Sequence, residues 1–535
     1  MAIDLKQTAI DPDIAVPPTR NTTEALRATL DDLQGNILKS HGRDHSRHLF
    51  ITFKTDTADD RKKAREWLAK MVAQDRVTSA LQQWEEAKTY RETLETIGSG
   101  GVISMIEKLR LIMAASKVFV GVMLSADAYR DLRLDAQLPD DPSYREGAKK
   151  RAAVLNDPPK EKWEKTFQGK LHALVVIADD HPTDRIDPLV ATLKEELKSF
   201  VLRTAEETGT AMRIDGQGNE TSTAPVREHF GFVDGISQPL FYGRDIENAR
   251  TRHGGIDQFD PSAPLDQVLI KDPGGNQDTG YGSYFVYRKL QQNVQGFRDD
   301  EKRLAVTIAH HAHPKSPDPR PEDIALAGAY MVGRFQDGTP VVDRAVSGLG
   351  PLPNNFTFDA DPDGVRCPFQ AHVRKTNPRG DKQRQFGQPL TQERSVRIAR
   401  RAISYGEVSL KPDPSKPVGL LFLCAQSSIA DQFEFIQNQW VNNKDFLRGG
   451  SGLDPVIGTQ EYGKQREDAP KGEWPKLYGS RNELDFSTVP PKVVSHTFPE
   501  RVGEWVTMRG GEYFFVPSLS ALKAFATVHE EAEAK

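Results

Sequence analysis

Short strand segments with alternating polarity, set between longer helical ones, constrain this chain more than any other feature. Residues 49–54, LFITFK, alternate and predict a half-buried strand. Residues 118–124 and 171–177 predict two more, and the first of these runs into a capped helical start at Ser125. Residues 57–98 predict one helix. Thr57 caps it ahead of Asp59 and Asp60, Trp67, Leu68, Met71 and Val72 share a face, and Gly98, Gly100 and Gly101 end it. Residues 188–208 predict a second, opened by Pro188, with Leu189, Leu193, Leu197 and Val201 on its apolar face. A parallel sheet wrapped by helices needs uniformly apolar strands. Several of these are amphipathic instead, so antiparallel sheets with helices on one face are expected, and the β-α-β-β-α-β unit is the natural building block.

The second half continues the alternation. A strand is predicted at 283–287 with a helix starting at Lys289, and another strand at 329–335. Residues 418–424, VGLLFLC, predict a buried strand, 432–440 a helix, and 512–516 then 518–531 a strand and terminal helix. Residues 1–25 are rich in Pro, Thr and Asp and predict an irregular arm. The organisation expected is an arm over 1–30, one domain over 31–228 and a second over 229–535.

Composition removes several classes. Seventy-one basic against 76 acidic residues give a net charge of −5, which argues against nucleic acid as a partner. Two cysteines, Cys367 and Cys424, exclude a disulfide framework. The longest apolar run, 418–425, is too short to span a bilayer, and the N-terminal residues show no basic-then-apolar export signal. A cytoplasmic protein is expected.

Two stretches carry chemistry. Residues 228–239, EHFGFVDGISQP, set Asp234 between Gly231, Gly235 and Pro239 as the only ionisable side chain from Phe230 to Leu240. An apolar frame disfavours the carboxylate and raises its pKa toward values useful for proton transfer. Against that stands an ordinary Asx turn, the commoner use of such a residue. Residues 367–379, CPFQAHVRKTNPR, place His372 ahead of Arg374, Lys375 and Arg379. Cations disfavour imidazole protonation and leave a neutral ligand for a metal or haem, while the cations themselves suit propionates. A lone histidine is more often structural. His310, His311 and His313 fall in a polar loop over 309–320, without the HExxH or paired cysteines of a metal site.

Taken together, GFVDGISQP, CPFQAHVRKTNPR, RRAISYG and GLLFLCAQSSIADQFEFIQNQW resemble the dye-decolorizing peroxidases. QGNIL, GSYFVYRKLQQNVQGF and GLDPVIG fit that family's larger branch, and the resemblance runs from about Leu33 to the C-terminus. It implies an α+β fold of two ferredoxin-like domains with antiparallel sheets and peripheral helices, of the dimeric α/β-barrel type, with haem b in the second. Asp234 then matches the distal aspartate of the GxxDG motif, His372 the proximal iron ligand and Arg400 the distal arginine, with Arg401 as the alternative register. Phe232, Gly235, Arg374, Leu420 and Phe422 are expected to contact the haem. Glu434 and Asp454 are the candidate carboxylates behind His372, and Tyr405 and Trp440 resemble surface relay positions.

The activity implied is reduction of hydrogen peroxide at the expense of an aromatic reductant such as a dye or phenol, with an acidic pH optimum. A haem-binding or haem-iron-releasing protein with incidental peroxidase activity is the alternative. A non-haem metal protein built on His310–His313 is a third.

Overall fold

The computed structural model describes residues 2–14, 21–98, 116–316, 318–348, 353–481, 483–485, 487, 489–490 and 492–529. Helix α1 (Thr23–Asp32) begins inside the expected arm, capped by the Thr22 hydroxyl. Strand β1 (His45–Phe53) leads to helices α2 (Ala58–Ala73) and α3 (Ala80–Gly98). The single helix expected over 57–98 is thus two. Thr57 does cap α2, but the chain turns at Gln74 and the Gln34–Ser79 bridge ties the break to the sheet side. Gly100 and Gly101 lie outside the described residues. Strands β2 (Phe119–Leu124) and β3 (Ala173–Asp179) are buried along their whole length.

Residues 188–208 are not one helix. Helix α4 (Asp187–Leu197) ends at a turn through Phe200, and β4 (Val201–Thr210) pairs antiparallel with β1. Val190, Leu193 and Leu197 form the buried helix face; Val201, taken as its continuation, belongs to the strand. A 3.6-residue periodicity survived across the boundary by coincidence, while the sheet edge offered β4 a full ladder of backbone partners.

Strand β5 (Tyr281–Gln292) is longer than the sequence indicates, and helix α5 (Val294–Ala312) starts at the Asn293 cap rather than at Lys289. His310 and His311 lie in the last turn of α5 and so are helical rather than on a loop, while His313 follows the helix as its C-cap. Residues 329–335 are also corrected: most belong to helix α6 (Pro321–Val332), which Gly333 ends at φ +94°. Then come α7 (His372–Thr376), β6 (Ile403–Tyr405), β7 (Gly419–Gln426), wide helical turns over 429–441, and β8 (Val506–Val516).

In space the strands run β6-β7-β5-β8-β2-β3-β1-β4, every pairing antiparallel. The first four strands stand in the order 4-1-3-2, and so do the last four. Each half is therefore a β-α-β-β-α-β unit of the ferredoxin-like type. β8 joins β2 at Phe515 and Leu124. At the other end Gly209 of β4 lies against the Ile403 side chain of β6, which closes the path into a barrel.

The two faces of β5 show what this closure does. Tyr287 packs inward on Phe50 and His48, and Lys289 pairs with Glu164 and Glu207. Arg288, Leu290 and Gln292 alternate outward, where they line a large cavity. A second apolar core, with Phe297, Leu304 and Ile308 of α5 and Tyr330 and Met331 of α6, braces the cavity from outside.

Candidate active site

The cavity encloses about 610 Å³ and is bounded by the outward faces of β5 and β7, the 228–239 segment, α7 and the turns over 429–441. That is the size of an enclosed small-molecule or cofactor site. Asp234, His372, Arg400, Phe232, Gly235, Leu420 and Phe422 all line it. Leu420 and Phe422 reach it through strand alternation, while Leu421 and Leu423 between and beside them enter the barrel core.

Asp234 sits in a tight hairpin in which its N–H donates to Val226 O at 3.0 Å and Arg227 bridges Val233. Gly231 and Gly235 take φ of +90° and +78°, which lets the chain turn on both sides of the aspartate. Its Oδ1 accepts from Gly235 N–H at 2.6 Å and from Arg400 Nη1 at 2.8 Å, leaving Oδ2 without a partner among the described residues. Burial pushes this carboxyl up, yet the Arg400 charge, the Gly235 N–H and the guanidinium hydrogen bond outweigh it and leave the pKa below its ordinary 3.8. The raised pKa expected from the apolar sequence context is therefore corrected: the partner that reverses it lies 166 residues away.

Arg400 is held by its own backbone N–H, which donates to Gln238 Oε1 at 2.9 Å, and by Nη2 on Ser237 O. Arg401 does not line the cavity. Its guanidinium donates to Asn36 O and Ile37 O, tying the N-terminal QGNIL turn to the sheet. On the opposite flank, His372 Nδ1 donates to Asp454 Oδ2 at 2.9 Å, and Val456 and Ile457 N–H groups fix the other carboxylate oxygen. With Nδ1 protonated, the free lone pair is on Nε2. Glu434, the other candidate behind His372, instead binds Arg151, Ser143 and Tyr513.

Arg374 is also corrected. It is wholly buried, ion-paired with Asp361 and Asp381, and stacked on Phe358 and Phe369, with nothing left for a ligand. The run of cations after His372 carries no information about which of them faces the cavity. Replacing Arg374 with Met strands two buried carboxylates, so a loss of about 3–5 kcal/mol in unfolding free energy is expected. Denaturant unfolding with and without the substitution measures it.

Haem needs one strong axial donor, flat apolar walls and cations for its propionates. The cavity has the first in His372 and the second in Leu290, Leu420, Phe422, Ile436 and Met508. For the third, Arg334 and Arg397 line the cavity, and each donates only to carbonyl or amide oxygens. Burial lowers both to about 10, so a pair of anions would relieve an uncompensated charge. The donor set fits. Neither arginine was legible in the sequence, because 329–335 reads as a strand and Arg397 is one of several arginines in a row. Tyr405 and Trp440 are buried, not on the surface; Tyr405 lies under the Lys289 ammonium and Trp440 stacks on Phe446. Tyr462, half exposed in the cavity wall, is the accessible aromatic instead. Among the described residues no group of three or more His, Cys, Asp or Glu gathers as a metal site, and none of the helices is long and apolar enough to cross a membrane.

Comparison with known proteins agrees with this geometry. A family model described as the DyP dimeric alpha+beta barrel domain matches residues 32–213. The chain is 36% identical to the multifunctional dye peroxidase DyP2 of Amycolatopsis sp., over 94% of this chain and 97% of that one. It is 30% identical to the dye-decolorizing peroxidase msp1 of Mycetinis scorodonius over 80% of each. Among solved structures, the DyP-type peroxidase of Anabaena sp. matches with a TM-score of 0.79 at 38% identity, covering 98% of this chain and 99% of that one. The structure of DyP2 itself gives 0.77 at 33%, covering 98% and 100%. Identity along nearly the whole of both chains, on one shared barrel, means that the chain belongs to the dye-decolorizing peroxidases, a family of haem enzymes.

Proposed function

We propose that this protein reduces hydrogen peroxide and oxidises aromatic compounds such as dyes and phenols, with haem b held in the second of its two domains. The arm then covers 1–30 and the domains 31–228 and 229–535, a division supported by the repeated 4-1-3-2 strand order. The observation that carries the reading is the Asp234–Arg400 pair facing the same cavity as the Asp454-backed His372.

Haem, when bound, supplies the site where peroxide docks and the redox equivalents that split its O–O bond. His372 would ligate the iron through Nε2, and Asp454 raises the basicity of that nitrogen by accepting from Nδ1. Arg334 and Arg397 would take the propionates. Asp234, ionised by its arginine, accepts a proton from the inner peroxide oxygen on its unpartnered Oδ2 and returns it to the outer oxygen, which departs as water. The Arg400 guanidinium carries fixed positive charge to where negative charge develops as that bond lengthens. The apolar walls keep bulk water from competing. Tyr462 gives an aromatic donor a stacking partner at the mouth.

The test is rapid mixing of haem-loaded protein with hydrogen peroxide. A fast shift of the Soret band, reversed by an aromatic donor, is expected. A spectrum that peroxide only bleaches would instead support haem binding or iron release as the function.

A further inference from the structure

Helix α7 carries two buried polar groups on one face, and the steps above use only the first. His372 and Lys375 stand three residues apart, which brings their Cβ atoms to about 5–6 Å in a helix. Lys375 is wholly buried. Its ammonium donates to Trp440 O at 3.2 Å and to Asn443 O, and no carboxylate pairs with it among the described residues. Two main-chain oxygens satisfy two of its three donors but leave its charge uncancelled. A buried charge without a counter-charge is costly, so a compensating one has to lie close by.

The next carbonyl along the chain shows where it is. Val441 O accepts the backbone N–H of Asp454 at 3.1 Å, so consecutive carbonyls of one turn hold the lysine and the aspartate. Asp454 is itself buried. Its Oδ1 accepts from the Val456 and Ile457 N–H groups, and its Oδ2 takes the His372 Nδ1 proton. The imidazole and the ammonium thus leave α7 from one face and converge on the segment that carries this carboxylate. The other charges around Lys375 do not compete for it. Asp445 is half exposed and paired with Lys444, and the Lys382 ammonium over the Trp440 ring adds positive charge. Burial lowers the Lys375 amine to about 8, and Asp454 is the foremost of the charges that hold it up. In so dry a place a charge is felt well beyond hydrogen-bond range.

We propose that Lys375 is a positioning residue for the axial donor: acting through Asp454, its ammonium limits how strongly His372 donates and so raises the reduction potential of the bound haem iron. This rests on the reading of His372 as the iron ligand. The sign follows from the charges. Asp454 draws on the Nδ1 proton and makes Nε2 a stronger donor, which favours ferric iron. A positive charge near that carboxylate cancels part of the pull. Without the ammonium the imidazole feels the whole carboxylate charge, and the ferric state gains. No bond forms or breaks at Lys375, which tunes the donor and takes no part in moving protons. A restrained donor leaves a more oxidising iron, as aromatic reductants that give up electrons reluctantly require.

Three substitutions separate charge from structure. Lys375→Met removes the charge and nearly keeps the side-chain length, Lys375→Gln keeps an N–H donor for the two carbonyls, and Lys375→Arg keeps the charge. Spectroelectrochemical titration of the haem-loaded proteins reads the ferric–ferrous midpoint. At the wild-type midpoint, Lys375→Met and Lys375→Gln should hold about tenfold less ferrous relative to ferric iron, a shift of about 59 mV to the negative side. Lys375→Arg should stay near wild type. A lysine that only ties α7 to the 440–443 carbonyls would lower stability and leave all three midpoints unmoved, which overturns the proposal. The Asp454→Asn background tests the route. There the Lys375→Met shift should shrink to less than half; a shift of full size would put the ammonium's effect directly on the iron and overturn the part given to Asp454. If Asp454→Asn raises the midpoint while Lys375→Met and Lys375→Gln leave it alone, only Lys375 is dismissed. If His372→Ala keeps its haem and neither Asp454→Asn nor Lys375→Met moves the midpoint, the underlying reading of His372 falls as well.

Discussion

Replacing His372 with alanine is expected to strip the purified protein of most of its haem, with the Soret absorbance per chain falling at least about tenfold. The expectation rests on geometry rather than on the histidine alone. α7 opens at His372, its Nδ1 is fixed on a carboxylate that is itself wholly buried, and Nε2 has no partner among the described residues. Removing the imidazole takes away the ligand and also leaves the buried Asp454 Oδ2 without its donor, so haem content is read on protein shown by circular dichroism to be folded. Asp454→Asn should do less: haem stays, but the amide no longer draws the Nδ1 proton, and the reduction potential should rise as the axial nitrogen becomes a weaker donor. Full haem content in His372→Ala would remove this residue as the ligand. Quantifying haem per chain after pyridine extraction decides it.

Much of this site could be read before the fold was known, and the reasons are specific. Asp234 and His372 each read alone as an ordinary turn aspartate and a structural histidine, and only the motifs taken together single them out, while Leu420 and Phe422 follow from strand alternation in a run too short for a helix. The closed barrel was implied only through the family resemblance. No local pattern tells β2 to pair with β8 or β4 to lie against β6, because both contacts join halves separated by hundreds of residues. The failures share that cause. Arg374 looked free beside His372, yet Asp361 and Asp381 enclose it. Val201 continued a helical stripe, yet the β1 edge claimed it. Arg334 and Arg397 gave no signal at all, since what marks them is that, among the described residues, neither donates a hydrogen bond to a carboxylate. The choice between Arg400 and Arg401 is of the same kind: adjacent residues on a strand point to opposite faces, and only pairing with β7 decides which one meets the cavity.

The Asp234 pKa is the most consequential of these reversals, because it fixes what Asp234→Asn should do. Sequence context alone predicts a carboxyl with a raised pKa; the structure has one held ionised by Arg400. The sign follows directly. A carboxyl whose folded pKa is depressed contributes stability, and here a proton acceptor, at every pH above its ordinary 3.8, and loses both as pH falls through the lower folded value. Peroxide reactivity should therefore persist into acid, with its acid limb below pH 3.8, in keeping with the acidic optimum that the family resemblance implies. Asp234→Asn keeps size and shape, retains the Gly235 hydrogen bond through its carbonyl oxygen, and removes the base. Haem content should be unchanged, while the rate of the peroxide-driven Soret shift should fall by about 100- to 10,000-fold, the usual worth of a placed acid–base group. The residual rate should lose its acid limb, since the titrating group is gone. Arg400→Leu is expected to act differently on the same limb. Without the guanidinium, burial wins and Asp234 rises above its present value, so the rate should fall and its acid limb should move upward in pH. If Asp234→Asn reacts with peroxide as fast as wild type, or Arg400→Leu leaves the acid limb where it was, the pair does not do this work. Rapid-mixing rates collected from pH 3 to 7 on the three proteins separate these outcomes.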